Sequence, residues 1–111
     1  MQQTIQAYLT ETGLGHEQSY RNLAVFPLIS VHQTTLDYIT LDEAFAKALI
    51  EVAEVSEEGS VPHLKVENNS PEMVLILDGE ELVGAKQNRI VNTTILLKGD
   101  SSTTIPVSCV E

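Results

Sequence analysis

Near Val52 the spacing of apolar residues changes from a helical period to a period of two, and that change bounds the folds open to this chain. Before it, Leu41, Ala44, Phe45, Ala48, Leu49 and Val52 form one apolar stripe at about 3.6 residues per turn. Thr40 lies three residues ahead of Glu43, the spacing of a capping box, and Asp42 and Glu43 suit the positive end of a helix dipole. A helix over about residues 41–51 is expected. After it, Leu64 and Val66 alternate with His63, Lys65 and Glu67, as in a strand with one dry face. Met73–Leu77 is a continuous apolar run, the pattern of a strand buried on both faces.

Turn residues separate these runs. Glu57–Ser60 and Asn68–Pro71 read as turns. Asp78-Gly79 reads as a hairpin turn, because both positions tolerate positive φ. Glu80–Leu97 then carries one long strand or two short ones, with Gly84 at a bulge or a close approach. Gly99–Ser102 is expected to close a hairpin onto Thr103–Val110. Upstream, Ile5, Tyr8 and Leu9 share a helical face, so residues 1–12 read as a short helix stopped by Gly13. Leu23–Ile29 reads as a buried strand, placed at an edge or bulged because Pro27 has no amide proton. Thr35–Ile39 alternates and reads as a further strand. The expected class is α+β: an antiparallel sheet or sandwich with one principal helix packed on it.

With 111 residues there is material for a single domain and one core. With five aromatic residues and no Trp, that core must be built from Val, Ile and Leu. An acidic-to-neutral shift near residue 60 separates the helical half from the strand half without marking two domains. The last strand runs to Glu111, so it must pair in a sheet or present an edge, and a homo-oligomer formed through residues 103–111 is one solution.

The formal net charge of −10 repels phosphate backbones and anionic lipid, which argues against nucleic-acid and membrane partners. Cys109 is the only cysteine and cannot form an internal disulfide. No signal-like segment opens the chain, and no apolar run approaches a membrane span. A cytoplasmic location is expected.

Chemistry is concentrated in Asp78-Gly79-Glu80-Glu81-Leu82-Val83-Gly84-Ala85-Lys86-Gln87-Asn88-Arg89, directly after the most apolar run. Glu80 or Glu81 can act as a base or hold a cation. Asp78, Lys86, Gln87 and Asn88 can contact a polar ligand, and Arg89 can fork onto a carboxylate or phosphate. Surface ion pairing among the same residues is the plainer alternative. His16, His32 and His63 lack metal-ligand spacing, so no metal site is expected, and no cofactor is indicated. Cys109 and Ser108 sit in an apolar strand without a nucleophile motif.

The run Val74–Arg89, with Asn92-Thr93 and Ile105–Glu111, resembles an uncharacterised prokaryotic domain family. That family is named for its association with ADP-ribosylglycohydrolases and rhodanese-phosphatase-superfamily proteins. The likeness extends back through the capped helix to about Leu23. It implies a link to nucleotide or ADP-ribose metabolism but assigns no reaction. It also implies that the chain is the N-terminal part of a longer family domain. The family motif falls on Asp78, Glu80, Glu81, Lys86, Gln87, Asn88 and Arg89. Two functions remain open. One is a ligand-binding or assembly domain. The other is an enzyme, or part of one, acting on a phosphorylated or ADP-ribose-like small molecule, with Glu80 or Glu81 as acid or base and Lys86 and Arg89 on the phosphate.

Overall fold

The computed structural model describes residues 1–56 and 62–110; the turn expected at Glu57–Ser60 lies outside them, as does Glu111. The chain is mostly antiparallel β-structure with two short helices, the α+β class expected. It divides into two compact units, Met1–Leu36 and Asp37–Glu111.

The first unit opens with α1 (Gln2–Thr10), followed by β1 (Thr12–Leu14), β2 (Gln18–Tyr20), β3 (Leu23–Val25) and β4 (Leu28–Ser30). The run Leu23–Ile29 is therefore not one buried strand. Pro27 has a fixed φ and no amide proton, and it falls between two three-residue strands whose side chains are all exposed. The strands pair as nested hairpins, β2 with β3 inside β1 with β4. Gly15 N donates to Pro27 O at 2.7 Å between them. His32 Nε2 meets Glu11 Oε2 at 2.8 Å, and the Tyr8 ring lies 4.0 Å from the imidazole.

The second unit runs β5 (Tyr38–Thr40), α2 (Leu41–Ala46), β6 (Ile50–Glu54), β7 (His63–Asn68), β8 (Met73–Ile76), β9 (Glu81–Leu82), β10 (Arg89–Val91), β11 (Ile95–Leu97) and β12 (Ser101–Cys109). The strand expected at Thr35–Ile39 is confined to Tyr38–Thr40. The capping box is present: Glu43 N donates to Thr40 Oγ1 at 3.3 Å and Thr40 N donates to Glu43 Oε2 at 2.8 Å. The Thr40 amide proton, and then its hydroxyl, hold the Glu43 carboxyl below its ordinary value of 4.5.

The helix is shorter than the stripe implied. Leu49 N donates to Ala44 O and Ala48 N to Phe45 O, while Ala48 turns to φ 55. This is a Schellman closure with alanine where glycine is usual. Beyond it Ile50 and Val52 are buried on a strand, so Val52 reaches the core by period two.

Two sheets result. One has the order β6-β7-β12-β10-β9, and the other β11-β8-β5, in which β5 and β8 are parallel. The core between them and α2 is aliphatic, with Leu41, Leu64, Val66, Val74, Ile76, Leu82, Leu97 and Ile105 among its buried side chains. β8 alternates, Val74 and Ile76 buried and Leu77 exposed, so the apolar run is not buried on both faces.

Neither expected hairpin forms. Asp78-Gly79 connects β8 to β9, and Gly99-Asp100 connects β11 to β12, each a passage from one sheet to the other. At the first, Glu80 N donates to Leu77 O and Gly79 has φ 90, as the third position of a type II turn requires. At the second, the Gly99 backbone is pressed against the Pro71 backbone so closely that no Cβ fits. β12 pairs within the chain, Ser101–Pro106 with β7 and Val107–Cys109 with β10.

Candidate functional site

The candidate segment wraps from one sheet to the other. After β8 it turns at Asp78-Gly79, forms β9, leaves the sheet as the Val83–Asn88 loop and returns as β10. Gly79 N donates to Val91 O and Val91 N to Glu80 O, both at 2.9 Å, so the turn is fastened to β10. Asp78 N donates to Thr94 Oγ1 at 3.2 Å, a partner not expected from sequence. The Glu80 carboxylate folds back to accept Leu77 N at 2.6 Å. That contact gives Glu80 a turn-closing role.

Glu81 and Asn88 come together across the base of the loop, with Asn88 Nδ2 donating to Glu81 Oε1 at 2.9 Å. Lys86 and Gln87 lie in the bent part of the loop and on no strand. The loop instead packs back on β6: Gly84 approaches Val52, and Lys86 N donates to Glu54 Oε1 at 3.2 Å.

Arg89 occupies the site's most constrained position. Antiparallel register sets it opposite Leu82 on one side and Cys109 on the other, on the same face as Val91. It is only 4% exposed. Its Nη1 donates to Gln87 Oε1 at 2.8 Å. Its Nε is buried with no acceptor among the described residues. A guanidinium cannot shed its charge at ordinary pH, so an unmatched buried donor costs on the order of 1–3 kcal/mol.

Glu54 on β6 also touches the loop, with Oε1 accepting from Lys86 N and Oε2 buried without a donor among the described residues. Sequence reading missed it. The signal was the spacing Ile50, Val52, Glu54: on a strand these three share a face, and the third is a carboxylate. The loop between β9 and β10 thus touches a carboxylate with an unmatched acceptor and leads into a strand whose arginine has an unmatched donor. Such an arrangement can take a ligand that carries both an anionic oxygen and a hydroxyl or amine donor. No group of three or more metal-ligating side chains occurs among the described residues. Among the same residues, no helix is long and apolar enough to cross a membrane.

Comparison with curated proteins and with solved structures returned no match. A model of the ARG and Rhodanese-Phosphatase-superfamily-associated Protein domain matches residues 11–111, which contain the whole segment from Asp78 to Arg89. This covers most of the chain and agrees with the likeness carried by Val74–Arg89 and Ile105–Glu111. The chain belongs to the ARG and Rhodanese-Phosphatase-superfamily-associated Protein domain family, an uncharacterised domain.

Proposed function

We propose that this chain is a ligand-binding domain in which Arg89 receives the anionic group of a small phosphorylated molecule. The single observation that carries the reading is the buried Nε of Arg89, which has no acceptor among the described residues. A strand on a packed core holds this guanidinium in place, so little ordering cost falls on binding. Gln87 braces it, and the exposed Lys86, Asn88 and Asp78 border the same loop or its turn. The unmatched Glu54 oxygen supports a ligand with a hydroxyl donor, such as a ribose phosphate. The family's association with ADP-ribosylglycohydrolases supports ADP-ribose as the first ligand to try. Binding without catalysis is favoured over an enzyme because the Glu80 carboxylate is engaged by the Leu77 amide in the turn. The lone cysteine suits a reducing, cytoplasmic setting.

Thermal unfolding with ADP-ribose, AMP and inorganic phosphate tests this. A ligand at a hundred times its Kd stabilises the native state by about 2.7 kcal/mol. We expect at least one of the three to raise Tm in the unmodified chain and not in Arg89→Met. No shift with any of the three, or an equal shift in Arg89→Met, would refute the proposal.

A further inference from the structure

The register of the five-stranded sheet puts Glu54 and Arg89 on one face. Glu54 stands opposite Leu64, and Leu64 opposite Ile105. Further along β12, Cys109 stands opposite Arg89. Cross-strand partners share a face, as do residues an even number apart on one strand, so Glu54 and Arg89 point the same way. Leu64 and Ile105 belong to the core, so this is the inner face. By the same register, no other charged residue of the five strands lies on it.

β6 and β9 are the two edges of this sheet, yet the loop after β9 reaches β6. Lys86 N donates to Glu54 Oε1, and the next residue, Gln87, accepts from Arg89. The two charges therefore grip adjacent loop residues, whose Cα atoms are about 3.8 Å apart. They are not paired with each other: Glu54 Oε2 and Arg89 Nε each stay without a partner among the described residues. Opposite charges buried apart are costly, and a molecule that meets both relieves both.

Chemistry selects that molecule. A carboxylate accepts hydrogen bonds and donates none. A bare anion on Arg89 would leave Glu54 Oε2 unmatched and set like charges against each other. A phosphate ester on a hydroxylated carbon skeleton gives its phosphate to Arg89 and a hydroxyl proton to Glu54. We propose that Glu54 is the specificity residue of the site: it admits sugar phosphates and rejects phosphate esters that lack a hydroxyl. This rests on the reading of Arg89 as the anion site and adds the group that chooses among anions.

Equilibrium titration with ribose 5-phosphate and with methyl phosphate is the test, at a mildly alkaline pH where the methyl ester carries no proton to donate. The unmodified chain should bind the sugar phosphate about tenfold or more tighter. Glu54→Gln keeps an acceptor for Lys86 N but puts a neutral amide where Oε2 stands. It should abolish the preference, weakening the sugar phosphate and strengthening the methyl ester. Arg89→Met should lose both ligands. Equal affinities in the unmodified chain, or a preference that survives Glu54→Gln, would overturn the role of Glu54 and leave Arg89 as the anion site. The comparison within the unmodified chain decides this even if the variant fails to fold. Neither ligand bound, or both bound equally well by Arg89→Met, would overturn the Arg89 reading and this proposal with it.

Discussion

Two buried polar side chains of the second unit make opposite cases. Asn68 is 2% exposed and fully engaged: its Nδ2 donates to Glu72 O and Lys98 O, and its Oδ1 accepts from Ser70 N and Ser70 Oγ. It ties the turn after β7 to the passage between β11 and β12. Arg89 is buried to the same degree and engaged by Gln87 alone. The two should therefore respond oppositely to removal. Asn68→Ala removes four hydrogen bonds, leaves the buried Ser70 amide without its acceptor and should cost about 3 kcal/mol. Arg89→Met replaces an under-partnered buried charge with an apolar chain of similar length and should be neutral or stabilising by up to about 2 kcal/mol. Urea denaturation of both variants reads the sign directly. A loss at Arg89→Met as large as that at Asn68→Ala would show that Arg89 is structural.

Among the elements, α2 shows how far sequence reaches. Its beginning was legible because Thr40 and Glu43 place chemistry at fixed spacing. Its end was not, because the residue that takes the left-handed conformation is Ala48, at φ 55, where a glycine would have marked the stop. Alanine pays for that conformation with steric strain between its Cβ and the following carbonyl, of order 1–2 kcal/mol. Ala48→Gly should accordingly raise stability by about 1 kcal/mol in denaturant titration, with α2 no longer than before; an unchanged or lower midpoint would deny that the closure is strained. The overrun had a consequence for the site. With Val52 counted in the helical stripe, the strand spacing of Ile50, Val52 and Glu54 is hidden, and Glu54 with it. Turns were legible in place but not in role: Asp78-Gly79 and Gly99-Asp100 do reverse the chain, but which strand each strand pairs with is a long-range property of the core. Leu23–Ile29 misled for a local reason, since an apolar run of that length reads as buried whether or not anything covers it.

At the scale of the whole molecule, an acidic, aliphatic chain places one guanidinium on the core side of a sheet. The segment that carries the candidate chemistry was legible from its density of polar residues after Met73–Leu77. Which member of it is buried was not, because that depends on the register of β10 between β9 and β12. The chain has only two arginines, Arg21 and Arg89, so a nitrogen-edited NMR spectrum of the guanidinium Nε–H groups contains two signals that can be told apart by mutation. Arg21 serves as the internal reference. The central claim predicts that the Arg89 Nε–H is slow to exchange with water and shifts saturably as ADP-ribose or phosphate is added, while Arg21 does not. An Arg89 signal that exchanges as fast as Arg21 and stays fixed through the titration would contradict it.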